Sequence, residues 1–193
     1  DKGERKEGRC IRLRIKKALD KVINIWGIYA PTNAKYRQEW LKKLGKEIAK
    51  DSGYKLIAGD FNFIMNPRID KRGGRENSGT GGRKIQREWE NTMEISDIWR
   101  KENPNTIGTT WSNGVRDEKR RVKTRIDRVL VDNRISDRIT DTQIIATKVS
   151  DHDAMTWTMT TDIKNKTKPY NKIPTDLIKD KRYQEKVRRI YAE

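Results

Sequence analysis

The sequence predicts an α/β protein in which two packed β-sheets are flanked by helices. Three observations carry this. Segments that alternate apolar and polar residues read as half-buried strands. A continuous apolar run, Tyr54 to Ala58, reads as a buried strand. Two stretches with apolar residues three and four apart read as helices set between the strands. No internal repeat is present.

The elements follow in order. Residues 1–9 are charged and predict no strand. Cys10 to Ile15 alternates apolar and basic, and Lys21 to Tyr29 forms a second strand, with Ala18 to Asp20 as the turn of a hairpin. Pro31 closes that strand because it cannot donate to a ladder. Thr32 or Asn33 then caps a helix whose apolar face is Tyr36, Trp40, Leu41, Leu44 and Ile48. Gly53 stops it, and the strand Tyr54–Ala58 leads into Gly59-Asp60-Phe61-Asn62. The Gly-rich stretch Pro67 to Gly82 is expected to be a surface loop. Ile85, Trp89 and Met93 mark the core face of a second helix. Asn103-Pro104-Asn105 is a turn signal, and Thr109-Thr110-Trp111 opens another strand. Asn113 to Lys123 predicts a polar hairpin loop. Thr124–Val131, Thr142–Val149 and Ala154–Met159 complete the strands. Two domains are expected: residues 1–160, then a unit at 161–193. In the latter, Lys164 to Asn171 is a linker, and Thr175 or Asp176 caps a basic helix with Leu177, Ile178, Val187 and Ile190.

Composition narrows the function. Forty-five Lys and Arg against 28 Asp and Glu leave a net charge of +17, which favours a polyanionic partner through counterion release. Basic residues gather at Lys71 to Arg75 and at Lys119 to Arg125. A nucleic acid fits better than an acidic membrane surface, because no amphipathic apolar face accompanies the charge. Hydrophobic residues are 33% of the chain, yet six tryptophans and several Val/Ile runs argue for a packed core. Cys10 is the sole cysteine, which excludes an intramolecular disulfide and thiolate zinc sites and suits a reducing compartment. No run reaches the length of a membrane span or a secretion signal. The first residue is Asp1, so a fragment of a longer chain is expected.

The chemistry concentrates at strand ends. Asp60 and Asn62 lie two apart after a strand, so alternation places both side chains on one side. A carboxylate and an amide could there face one phosphate; an Asx turn is the competing reading. Asp127 interrupts an apolar strand and needs a partner. The only histidine, His152 in Ser150-Asp151-His152-Asp153, is the natural one, because the pair fixes the tautomer and favours imidazolium. Metal-assisted phosphodiester hydrolysis needs such groups: an activated water, stabilised charge on the phosphorane oxygens and a proton for the leaving group.

Five ordered motifs, Ile28-Tyr29-Ala30-Pro31, Gly59-Asp60-Phe61-Asn62, Thr109-Thr110-Trp111, Arg125-Ile126-Asp127 and Ser150-Asp151-His152, carry a family resemblance. Over residues 8–160 the chain resembles the endonuclease/exonuclease/phosphatase superfamily, with its four-layer α-β-β-α DNase-I-like sandwich. Within it, the chain is most similar to the endonuclease domain of LINE-type non-LTR retrotransposon polyproteins. The segment from Lys168 to Asp180 resembles the linker these carry before their reverse transcriptase, Tyr170 standing where a tryptophan is usual.

The resemblance implies a metal-dependent, DNA-nicking hydrolase using Mg²⁺ or Mn²⁺. Its partners would be DNA, an RNA template reached through the wider polyprotein, and a downstream reverse transcriptase; its place would be nuclear. It assigns the scissile phosphate to Tyr29. Asp60 would orient or deprotonate the attacking water, or protonate the leaving group. Asn62 would bind the phosphate or that water. Asp127 would orient His152, and His152 would donate to a non-bridging oxygen or act as general base. Asp151 would support the metal side. Arg116, Lys119, Arg120, Arg121 and Lys123 would line a DNA-groove loop, although such a run can equally be a solvated face. Two departures stand out. Thr32 occupies the place where the family often has Asn. The family's early strands, with their metal-binding glutamate, have no counterpart, since Glu4 and Glu7 do not match them. The chain is therefore expected to be the C-terminal two-thirds of the domain. The alternatives are a remnant that binds nucleic acid without cutting it and a phosphatase or phospholipase of the same fold.

Overall fold

In the computed structural model, residues 8–16, 19–74, 81–162 and 179–185 are described. The chain divides into units at Asp1–Asp162 and Ile163–Glu193. Unit 1 contains, in order, β1 (Cys10–Ile15), β2 (Ile23–Tyr29), α1 (Ala34–Ala49), β3 (Tyr54–Asp60), β4 (Lys71–Arg72), α2 (Gly81–Met93), β5 (Ile95–Asp97), α3 (Ile98–Glu102), β6 (Trp111–Ser112), β7 (Lys123–Thr124), β8 (Asp127–Asp132), a 3-10 helix (Asn133–Arg138), β9 (Ile139–Ile145) and β10 (Ala154–Met159).

The main sheet runs β1-β2-β3-β8-β5. β1 and β2 form the expected antiparallel hairpin. β2 and β3 are parallel, so α1 is the crossover such a pair requires. Of the two candidate caps, Asn33 serves: its side chain accepts from the Tyr36 amide. Trp40, Leu41, Leu44 and Ile48 are buried, whereas Tyr36 is 43% exposed. It stands in the first turn, ahead of the buried stretch. Ile85, Trp89 and Met93 are core. At Gly45 of α1 an added Cβ would come within 2.2 Å of Trp89 Nε1, so the close approach of the two helices depends on that glycine.

The two faces of the sheet bury separate cores. One joins Trp26, Ile28, Ile57, Phe61 and Leu130 to α1 and α2. The other joins Ile23, Leu56, Val129 and Val131 to Ile98, Ile135 and Ile139, with Met155, Trp157 and Met159 of β10 packed against it. The β9–β10 pair is thus the second sheet, and helix, sheet and sheet are the layers among the described residues. No described helix is long and apolar enough to cross a membrane.

Four expectations need correction. The loop from Pro67 packs rather than floats: Asp70 is 0% exposed, and Lys71–Arg72 form β4, paired with β7. The reason is charge pairing, since Asp70 binds Arg125 at 2.7 Å and Arg100 at 2.6 Å. Arg125, grouped by sequence with the surface basic run, is 1% exposed and also binds Asp97 at 2.7 Å. The strand expected over Thr124–Val131 is two, β7 ending at Thr124 and β8 starting at Asp127 in a different sheet, with Arg125 between them bonded through its backbone N–H and its guanidinium to Asp70. β9 starts at Ile139, directly after the 3-10 helix, instead of at Thr142. The expected tail linker and helix cap, with Leu177, Ile178, Val187 and Ile190, lie outside the described residues, as do Glu4 and Glu7. Within 179–185, the Asp180 carboxylate accepts the Arg182 amide.

Candidate active site

Sheet register brings the predicted strand-end residues into one row. Tyr29 pairs with Asp60 across β2–β3, and Asp60 pairs with Asp127 across β3–β8. Register partners share a face of a pleated sheet, so all three side chains start from the same side, at the edge where β2 and β3 end and β8 begins. His152 reaches this edge from the loop before β10, which is tied to β6 by a bridge to Trp111.

His152 Nδ1 lies 2.9 Å from Asp127 Oδ2. Donor atoms of Asp60, Asp127 and His152 all fall within 4.8 Å of one another. Asp60 is half-buried, and burial pushes its carboxyl from 3.8 up to about 6. The Asn62 amide hydrogen bond, His152 and Arg128 pull it down; Asp127 pushes the same way as burial. For His152, burial acts to lower the pKa, but the hydrogen bond and charge of Asp127 outweigh it and hold the imidazole above its usual value. The pair therefore favours imidazolium with Nε2 turned away from Asp127.

Asn62 takes the Asx-turn reading of its motif. It sits in the left-handed region at φ 55°, closing an Asx turn in which its backbone N–H donates to Asp60 Oδ1 at 2.7 Å. Its side-chain amide donates to Asp60 Oδ2 at 3.0 Å and to the Ala30 carbonyl at 2.7 Å. The turn is thus what delivers the amide to the carboxylate. Gly59 precedes it at φ 140°, where a Cβ would meet the Ile28 carbonyl oxygen at 2.0 Å.

Tyr29 is 49% exposed at the end of β2, with the Arg9 guanidinium 5.1 Å from its ring centroid. Asp151 stands apart from the three-residue cluster: its Oδ2 accepts from Trp111 Nε1 at 2.9 Å. The hairpin between β6 and β7 presents Arg116, Lys119 and Arg120 to solvent, with Arg121 and Lys123 half-buried. Arg121 closes it by donating to the carbonyls of Val115 and Arg116, both at 2.8 Å.

Sequence reasoning gave Thr110 no role, yet it is the strap of the site. Its buried hydroxyl accepts from the Ile126 and Asp127 amides at 3.2 and 3.1 Å. Its carbonyl accepts the Asp153 amide at 2.7 Å. One residue thereby fixes the backbone on both sides of the Asp127–His152 pair. A buried threonine before a two-residue strand leaves no periodic signal.

Mg²⁺ asks for one or two carboxylates besides phosphate and water. The two carboxylates of the cluster, Asp60 and Asp127, are oxygen donors of the kind a hard cation takes. His152 Nδ1 is committed to Asp127, and Asp151, bonded to Trp111, lies outside that group.

A model of the endonuclease/exonuclease/phosphatase family matches residues 3–152. The chain belongs to that family. Among curated proteins it is 27% identical over 155 residues to the transposon TX1 uncharacterized 149 kDa protein of Xenopus laevis, covering 79% of this chain and 11% of that one. Among solved structures, an AP endonuclease from Archaeoglobus fulgidus has a TM-score of 0.67 at 21% identity, covering 82% of this chain and 68% of its own. A 3′-5′ exonuclease from Neisseria meningitidis gives 0.66 at 17%, covering 78% and 64%. The chain of this family member thus spans about a tenth of the transposon relative. At these identities the solved neighbours establish the fold, which is the DNase-I-like sandwich the sequence resembles.

Proposed function

We propose that this chain is the DNA-nicking endonuclease region of a non-LTR retrotransposon polyprotein, which hydrolyses one target strand to leave a 3′ hydroxyl for reverse transcription. The observation that carries the reading is the Asp127–His152 pair at 2.9 Å with Asp60 alongside it, in a family member of net charge +17. The similarity to a transposon protein supports the context. A nuclear setting, the RNA template and a downstream reverse transcriptase belong to the same proposal.

In this reading Tyr29 contacts the scissile phosphate from the end of β2. Asp60, ionised above its raised pKa of about 6, orients the attacking water and takes its proton. Asn62 holds Asp60 through two hydrogen bonds and fixes where that water binds. His152, kept protonated by Asp127, donates to a non-bridging oxygen as charge develops there. The P–O3′ bond breaks, and the 3′ oxygen leaves as a hydroxyl with a proton from solvent. Mg²⁺ or Mn²⁺, held by the carboxylates of the cluster with Asp151 on the metal side, would supply Lewis-acid stabilisation of the phosphorane charge. Arg116, Lys119, Arg120, Arg121 and Lys123 contact the backbone of the duplex.

The test is nicking of supercoiled plasmid by the full-length polyprotein and its His152→Ala variant, with Mg²⁺ and with chelator. Wild-type nicking that is lost in the variant and in chelator supports the reading. Unchanged nicking by His152→Ala refutes it. Turnover of a small phosphoester without DNA cleavage would move the protein to the phosphatase branch of its family.

A further inference from the structure

β4, β7 and β6 form a three-stranded sheet in which Arg72 and Lys123 are directly opposed register partners. Like charges facing across an antiparallel pair destabilise it. Among the described residues neither forms an ion pair. The backbone nevertheless clamps this arrangement: Gly73 turns at φ 71°, and a Cβ there would lie 2.1 Å from the Arg121 carbonyl oxygen. Between the Gly73 turn and the hairpin lies a cleft of about 400 Å³ walled, among the described residues, by Arg72, Gly73, Arg121, Lys123 and the acid Glu118. Arg121 and Lys123 also line a neighbouring cleft of about 310 Å³, which holds Trp111 and Asp151 but not Arg72.

We infer that the larger cleft is a second backbone-binding track, with Arg72 holding a phosphate of duplex DNA beyond the hairpin. The inference rests on the DNA-cleaving reading and extends it: the grip on the duplex continues past the hairpin, and a residue outside the hairpin takes part. A polyanion filling the cleft gives the two opposed cations a counterion. Among the described residues three cations stand against Glu118, and phosphate is the repeating anion a duplex offers. Arg72 is exposed at the end of a two-residue strand, so its removal tests binding more than folding.

The experiment measures affinity of the full chain for a labelled duplex by fluorescence anisotropy across a salt series, in chelator, alongside melting temperature. Arg72→Gln should lower the slope of log affinity against log salt by about 1, the loss of one phosphate contact, and Arg72→Lys should restore it. Arg72→Glu should flatten the slope further while raising the melting temperature, because it places an acid opposite Lys123. A wild-type slope in Arg72→Gln, alongside a reduced slope in the hairpin variant Arg116→Gln, overturns this inference and leaves the DNA-cleaving reading standing. A lower melting temperature in Arg72→Glu makes Arg72 structural and also overturns it. A wild-type protein with no salt-dependent affinity for duplex removes the underlying reading as well.

Discussion

Asp60→Asn should stabilise the protein at neutral pH while abolishing its activity. Burial lifts the Asp60 carboxyl from 3.8 to about 6. A shift of that size burdens the ionised form by about 3 kcal/mol, which solvent screening at this partly open site reduces to about 2 kcal/mol. Asparagine removes that burden. It keeps an oxygen to accept from the Asn62 backbone but turns an NH₂ toward the Asn62 side-chain amide, losing one hydrogen bond, about 1 kcal/mol. The net at neutral pH is about 1 kcal/mol of added stability, a rise of about 2–4 °C for a domain of this size. Because the folded pKa is raised, the folded protein binds more protons between 3.8 and about 6. Wild-type stability from this group therefore falls as pH rises through that window. Below it Asp60 is neutral, the burden vanishes, and the variant should be less stable than wild type by about 1 kcal/mol. Urea unfolding in chelator at about pH 4 and about pH 7.5 reads both signs. Plasmid nicking should fall by about 10²- to 10⁴-fold, the usual contribution of a positioned acid–base group. A variant equally destabilised at both pH values would show that Asp60 carries no electrostatic burden, and the role derived from its raised pKa would fail.

Other outcomes follow from the same geometry. His152 is the only histidine, so its imidazole proton gives one resolvable NMR resonance; it should titrate above 6.5 and move back toward that value in Asp127→Asn. Stability from this pair should be full below 6.5 and fade as pH rises through the higher folded value. Thr110→Val leaves the Ile126 and Asp127 amides without their acceptor; a loss of about 1–3 kcal/mol in urea unfolding is expected, together with slower nicking, whereas Thr110→Ser should recover both. Arg125→Met leaves Asp70 and Asp97 buried without their shared cation and should cost about 3–5 kcal/mol, the largest single loss among these variants by calorimetry.

What the sequence made legible was local. Alternation and strand endings put Tyr29 and Asp60 at strand ends and Asp127 within an apolar strand, where it needed a partner that the isolated His152 could supply. Their arrangement as a row depends on register between β2, β3 and β8, which is set by how α1 crosses over and packs, not by any single segment. Burial of charge was illegible for a different reason. Arg125 and Lys123 are two residues apart in one basic run, yet one is enclosed by Asp70 and Asp97 and the other lines a cleft. Counting charges treats them alike; only their partners, 55 and 28 residues away for Arg125, distinguish them.

Arg128 shows how the fold supports an acidic site on a sheet. Alternation sends Asp127 to the face shared with Asp60 and Arg128 to the opposite, helix-covered face. There the guanidinium is wholly buried, donates to the Phe63 carbonyl and lies 4.8 and 4.4 Å from the Phe61 and Phe63 ring centroids. Among the described residues its Nε and Nη1 have no hydrogen-bond partner, and burial lowers its pKa to about 10. At neutral pH it is still a cation, so the protein accepts an imperfectly solvated charge here at real cost. The two carboxylates on the other face give that charge a purpose. Arg128 opposes the rise in the Asp60 pKa, and Asp97, Asp70 and Asp127, in that order, favour the charged form of Arg128. The ion pairs of Asp70 and Asp97 go to Arg125 and not to Arg128. The sheet thus separates an acidic strand-end row from a buried cation that helps keep Asp60 ionised, and the Gly59–Phe63 turn, with its two phenylalanines, is the piece of chain that joins them.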